Sequence, residues 1–349
     1  MNPFKLKLAI LHIYPPLERV FPMKNQLPPF VEAFLQELSF KGRKPSTISR
    51  YRYDLLDFQA WIDDNYNGKW DLSKNEIDIF FFDLQIKRNY HTRTIRRIHS
   101  VLKQLALFQQ NQRQPKLRAI LLIDPPELTV EPLSSSDWIS LEEEQQLFQS
   151  LRSTAFLSEK QLETFRYYQA RNEFIITLFL RYGLTIQEVT NINMSHIQFQ
   201  HRRIQIADVH HTVRTLMLTN DDAALSYRYM KTIPEPVRPK FHSHDPFFVA
   251  FDFQRKTFHW SYEDDAPKRM TIIAIQKMLR QEIERAQLRK GISAQTLRNT
   301  AILRRLVSGE KLHQLLEATG YTSEQSLQRY IQTYLTLSDV QRIQLQKSS

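Results

Sequence analysis

Cysteine is absent from the 349 residues of this chain, which excludes disulfides, thiolate zinc sites and cysteine nucleophiles together. Its absence is compatible with a reducing interior. Glycine is scarce, with six residues, and 42% hydrophobic and 24% charged residues complete the composition of a helix-rich globular protein. No apolar run is long enough to span a membrane. The brief Leu8-Ala9-Ile10-Leu11 patch within Lys5 to Ile13 lacks a small-residue cleavage site after it, so it reads as a buried strand or anchor rather than a signal peptide. No lysine occurs between Lys160 and Lys231. No internal repeat or low-complexity tract stands out, and no residue pattern asks for a metal or a cofactor.

Basic residues, by contrast, are in excess. Lys+Arg number 48 against 37 Asp+Glu, a formal charge of +11 and a pI near 9.6, which suggests a polyanionic partner. At 41.7 kDa the chain exceeds one typical core, so two domains are expected.

Prolines break up residues 1–27, read as an irregular N-terminal extension. From Pro28 the period becomes helical. Phe30, Phe34, Leu35 and Leu38 share a face closed by Gly42. Ser46 or Thr47 is expected to cap a second helix with the stripe Ile48, Tyr51, Leu55, Phe58 and Ile62. A third runs from about Ser73 to Lys87 and turns Ile77, Phe80, Phe81 and Leu84 inward. The fourth starts at Thr92, with Ile95, Ile98, Leu102, Leu105 and Phe108 on one face. Arg93, Arg96, Arg97, Ser100 and Lys103 lie on its other face. These four helices form a small bundle over 28–112.

Prolines at 115, 125, 126 and 132 place a linker at 113–136. Ser140-Leu141-Glu142-Glu143 is a capping box that opens the second domain, 137–349. A long helix covers roughly Leu162 to Arg181 and stops at Gly183. Period 2 then takes over. Ile197 and Phe199, Arg203 to Ile206, and Arg214 to Leu218 read as strands, with His210 and His211 at a hairpin turn. After the apolar stretch Asp245-Pro246-Phe247-Phe248-Val249, a helix is expected at about Thr271 to Ala286. The expected class is mainly α with a small antiparallel β-sheet, strands being confined to Ile197–Leu218.

The last sixty residues carry the most specific pattern. Gly291-Ile292-Ser293-Ala294-Gln295-Thr296-Leu297-Arg298-Asn299-Thr300 opens a helix, Gly320-Tyr321 follows, and Tyr330 stands nine positions beyond Tyr321. This resembles the end of the catalytic domain of the tyrosine recombinases (the phage integrase family), in which a His-x-Leu-Arg-His segment, a Gly-His or Gly-Trp pair and a nucleophilic tyrosine keep that spacing. The resemblance implies a two-domain clamp on duplex DNA, with a helical core-binding (SAM-like) bundle and an α+β catalytic-type domain. It implies that the second and fourth helices approach the DNA. Arg50, Arg93, Arg96, Arg97 and Lys103 are the contacts expected from the bundle, and Arg203, Arg214 and Arg298 those from the second domain.

The catalytic positions implied by the resemblance are only partly filled. Tyr182-Gly183-Leu184-Thr185-Ile186-Gln187-Glu188 matches the family's Thr-Gly-Leu-Arg-x-x-Glu motif and places Thr185 where its first arginine stands. The strand-turn lysine is missing. Gln295 stands at a histidine-or-lysine position and cannot cycle a proton near neutral pH. Asn299 replaces a histidine, and Tyr321 stands for the last histidine or tryptophan. Arg298 and Tyr330 match. Each lost acid–base or phosphate-holding group costs about 10²–10⁴ in rate.

The expectation is therefore a DNA-binding regulator or repressor of a phage or mobile element, cytoplasmic and nucleoid-associated, without strand transfer. The alternative is a divergent recombinase using Arg181, a hairpin histidine and Tyr330, or an accessory subunit of one. The apolar tail residues Tyr334, Leu335, Leu337, Val340, Ile343 and Leu345 suggest self-association on DNA, with docking in cis as the competing possibility. A small effector or a protein antagonist is allowed for; a membrane is not.

Overall fold

The computed structural model describes residues 26–110, 115–207 and 213–346. The described residues divide into two compact units, with the division between Thr129 and Val130.

In the first unit, α1 (Pro29–Phe40) and α2 (Pro45–Tyr66) each begin with proline in the first turn, where its missing N–H costs nothing. Pro45 starts α2 one residue before the expected caps. Ser46 and Thr47 thus lie inside the first turn, and Lys44 at the N-cap position makes no side-chain hydrogen bond. Helix α3 (Lys74–Phe82) has a reciprocal Ser73–Glu76 capping box and continues as a π-helical turn over Asp83–Lys87. Helix α4 (Thr92–Gln109) buries His99 and Val101 besides the expected stripe, so its inward face is wider than period alone suggests. The core is aromatic: Phe58 packs edge-on against Phe80 at 4.7 Å and Trp70 at 5.4 Å.

Part of the segment read as linker is packed. Leu117, Ile120 and Ile123, around a 3-10 turn at Arg118–Leu122, join the first core. His99 Nε2 lies 2.8 Å from Ile123 O. Leu133 joins the second unit. Proline stops long helices, but it leaves intervening apolar side chains free to bury.

The second unit opens with α5 (Leu141–Arg152), capped by Ser140 and Glu143 as anticipated. Helix α6 (Glu159–Leu180) is buried on every side from Ala170 to Leu180 and runs through the middle of the core. A one-turn helix, α7 (Ile186–Thr190), follows Gly183, whose φ of +65° ends α6. Strands β1 (Ile197–Gln198), β2 (Arg203–Ala207) and β3 (Val213–Met217) make an antiparallel sheet in that order. Phe199 belongs to a 3-10 turn rather than to a strand. His210 and His211 lie outside the described residues, as do the 5–13 patch and most of the 1–27 extension.

Helix α8 (Asn220–Thr232) packs on α6 and had no counterpart in the sequence reading. Strands are not confined to the sheet. Two-residue pairs β4 (Phe251–Asp252) with β5 (Thr257–Phe258), and β6 (Trp260–Ser261) with β7 (Ala266–Pro267), form small hairpins. They are too short to display a period. Helices α9 (Ile272–Arg285), α10 (Ala294–Val307), α11 (Leu312–Thr319), α12 (Gln328–Thr336) and α13 (Asp339–Leu345) complete the unit. Among the described residues no helix is long and apolar enough to cross a membrane.

Candidate functional site

The positions singled out by spacing converge where α7, β3, α10, α11 and α12 meet, and Glu188 is their hub. Thr185 caps α7: its N–H and Oγ1 donate to Glu188 Oε2 at 2.7 and 2.9 Å, and Glu188 N donates back to Thr185 Oγ1 at 3.2 Å. Thr185 is thus committed to its own helix and brings no positive charge. Arg298, on α10, is 3% exposed. Its Nη1 donates to Gly183 O at 2.7 Å and to Glu188 Oε2 at 3.4 Å, and its Nη2 to Thr319 O at 2.9 Å. The Tyr321 ring lies against it, 5.0 Å from centroid to guanidinium carbon.

Arg214 reaches the same carboxylate from β3, its Nη1 donating to Glu188 Oε1. Its side chain is 11% exposed, and its Nε and Nη2 are buried without a hydrogen-bond partner. A buried donor left unpaired costs about 1–3 kcal/mol. Gly320 makes room for it: a Cβ there would stand 2.5 Å from Arg214 Nη1, and φ is +72°. Burial works to raise the Glu188 carboxyl. The hydrogen bond and charge of Arg214, the Thr185 amide and Arg298 outweigh it and hold the group below its ordinary range.

Tyr330 is 5% exposed. Helix α12 seats it in a cluster with Leu327, Ile302 and Leu303. Its hydroxyl donates to Asn299 Oδ1 at 2.8 Å and accepts from Gln295 Nε2 at 3.3 Å; Tyr321 OH lies 3.5 Å away. Asn299 is itself fixed, taking a bond from Gln295 Nε2 at 2.7 Å and donating to Asp137 O at 2.9 Å. Burial, followed by the neighbouring Tyr321, pushes the Tyr330 hydroxyl well above the ordinary tyrosine range. An amide oxygen accepts that proton in a hydrogen bond but cannot remove it.

The remaining candidates separate by surroundings. Arg50, Arg93, Lys103 and Arg203 are exposed. Arg96 donates to Pro126 O at 2.6 Å. Arg97 makes a bidentate pair with the buried Asp54, both bonds 2.8 Å. Arg214 and Arg298 face inward, as above. Arg181, the proposed rescue, pairs with Asp222 at 2.9 Å and lies over Phe148, so its charge is already answered.

Sequence reasoning missed the joining of Arg214, Glu188 and Arg298, and the roles of Asn299 and Gly320. One signal was present. Period 2 puts Arg214 on the same face as Leu216 and Leu218, and opposite Ile206 across the strand pair. An arginine on an inward face needs an anion.

A family model for the phage integrase N-terminal SAM-like domain matches residues 30–110. The tyrosine recombinase XerC of Caldanaerobacter subterraneus subsp. tengcongensis is 26% identical over 297 residues, 78% of this chain and 74% of the relative. The XerH site-specific recombinase bound to palindromic difH substrate, in a post-cleavage complex, aligns over 85% of this chain and 80% of its own, with 17% identity and a TM-score of 0.62. A lambda integrase dimer bound to a COC' core site aligns over 89% and 96%, with 10% identity and a TM-score of 0.57. These two share its fold. Residues 30–110 thus match the phage integrase N-terminal SAM-like domain, and the chain as a whole is similar to tyrosine recombinases in sequence and in fold.

Proposed function

We propose that the chain is a sequence-specific duplex-DNA-binding protein on a recombinase scaffold that carries out no strand transfer. In this reading it is a cytoplasmic, nucleoid-associated repressor or regulator of a phage or mobile element. The observation that carries the reading is the state of Thr185 and Tyr330. The first supplies a helix cap where a guanidinium is needed. The second donates its hydrogen bond to an amide oxygen, with Gln295 and Tyr321 as its other polar neighbours. Attack on a phosphodiester needs positive charge on the phosphate and a proton for the leaving oxygen, and neither residue provides them.

DNA contact is assigned to the bundle at 28–112 through Arg50, Arg93 and Lys103, and to the second unit through Arg203. The relatives of like fold include recombinases solved on DNA, and the charge of +11 is in keeping. Backbone neutralisation makes such binding steeply salt-dependent. The exposed Leu335, Val340 and Ile343 of the tail support self-association on DNA. Footprinting on genomic fragments from around the gene tests the reading. A protected site that Tyr330→Phe leaves intact is expected; absence of any protected site contradicts it.

One observation favours a second reading, a divergent strand-transferring recombinase. Tyr330 keeps its place on α12, beside the Tyr321 that stacks on Arg298.

A further inference from the structure

Between Val249 and Met270 the chain makes two hairpins that match each other at an offset of nine residues. In the first, Phe251 pairs with Phe258 and Asp252 with Thr257; in the second, Trp260 pairs with Pro267 and Ser261 with Ala266. Both spring from a ring of three backbone hydrogen bonds. Ala250 N donates to Lys268 O at 2.8 Å, Lys268 N to His259 O at 2.9 Å, and His259 N to Ala250 O at 2.9 Å. The third pairing at this ring, Val249 with Arg269, leads back to the buried Phe248 and Met270. Three strand pairs that share one junction point in three directions, so the two hairpin tips are held apart. The tips carry opposite charge: one is Phe253-Gln254-Arg255-Lys256, the other Tyr262-Glu263-Asp264-Asp265. Every residue of both is exposed. Each tip opens with an aromatic side chain, Tyr262 being 92% exposed. Each closes on a residue of positive φ, Lys256 at +53° and Asp265 at +47°. Lys256 is paired with Glu163 on α6, while Arg255, Glu263 and Asp265 have no ion-pair partner among the described residues.

We propose that the paired tips are a contact surface for a second copy of this chain. The basic tip of each copy meets the acidic tip of the other. Two opposite charges fixed on one base are self-complementary under a two-fold rotation, so the same contact is made twice. The charges set partner and register, and Phe253 and Tyr262 supply the apolar area that such a contact needs beside them. A contact built from exposed charges is weak and sensitive to salt. It requires neither DNA nor the C-terminal tail.

Charge reversal and mixing test this. One full-length variant carries Arg255→Glu with Lys256→Asp, a second carries Glu263→Lys with Asp265→Lys. Lysine and aspartate already occupy the matching positive-φ positions of the two hairpins, so neither exchange asks for a new backbone conformation, and thermal melts establish that both variants are folded. Sedimentation without DNA is followed over protein concentration and salt for wild type, each variant alone and their equimolar mixture. Each variant alone is expected to associate at least about tenfold more weakly than wild type, because like charges now face each other. The mixture, in which acidic tips meet net-basic ones, is expected to associate at least as strongly as wild type at low salt and to come apart as salt rises. A mixture no stronger than its components overturns the proposal. So does association of either variant equal to that of wild type, which assigns the contact to another surface such as the tail. Loss of duplex binding in the Arg255→Glu, Lys256→Asp variant with association unchanged gives that tip to DNA and also overturns it.

Discussion

The Tyr330 hydroxyl is held by neighbours that neither charge nor deprotonate it, and Asn299 is the central one. Removing that amide takes from the buried Tyr330 hydroxyl its 2.8 Å acceptor and frees Gln295 and Asp137 O as well. Asn299→Ala is therefore expected to lower stability by about 1–3 kcal/mol in urea unfolding. Because the cost arises from the shared bond, Asn299→Ala combined with Tyr330→Phe should cost less than the sum of the single changes; strict additivity would mean the bond is energetically idle. Glu188 makes a pH prediction. Its folded-state value lies below the ordinary 4.5, so its contribution to stability is complete above that value. The contribution is lost as pH falls through the folded value. Melting temperatures followed from neutral pH down to about pH 3 should fall less steeply for Glu188→Gln than for wild type. At this scale, spacing located Thr185, Gln295, Arg298, Tyr321 and Tyr330. It did not reveal their bonds, because Glu188 lies 26 residues from Arg214 and 110 from Arg298. Partner identity at such separations depends on the tertiary fold, and only the inward parity of Arg214 hinted at it.

Helices with a strong apolar stripe were legible, and α1, α2, α3 and α4 lie close to where periodicity places them. The fully buried second half of α6 shows no amphipathic stripe, but its length and the glycine after it sufficed. Missed were elements whose signals are weak: α8, whose polar residues mask its stripe, and the two-residue strands at 251–267. The basic face of α4 divides once packing is known. Arg97 is tied to the buried Asp54 and Arg96 to a carbonyl, so reversing either charge injures the bundle as well as any DNA contact. Arg97→Ala is expected to destabilise the first unit by about 1.5–3 kcal/mol, the range for charge-assisted bonds. Arg93→Glu with Lys103→Glu, both exposed, should leave the melting temperature within a degree or two while weakening duplex binding by orders of magnitude. Unchanged affinity in this double variant would remove the face from the interface.

At the scale of the whole molecule, a recombinase-like fold carries a site in which Arg214 and Arg298 share the carboxylate of Glu188. The tail illustrates how a one-dimensional pattern can serve two ends. Leu337 and Leu345 turn into the core beside α10, whereas Leu335, Val340 and Ile343 remain 69%, 65% and 66% exposed. Deleting the tail would remove both sets. Replacing only the exposed three with serine keeps the inner contacts, and loss of cooperative binding on DNA is expected from that change. Retained cooperativity would assign the tail to its own protomer. The charge of +11 and the four-helix bundle speak for DNA contact, but neither distinguishes holding a phosphate from attacking it. That distinction belongs to Tyr330, Thr185 and Asn299, and covalent trapping on suicide substrates containing the footprinted sequence tests it most directly. The account predicts no denaturation-resistant protein–DNA adduct under conditions where the duplex is fully bound. An adduct formed by the wild type and absent from Tyr330→Phe would contradict it.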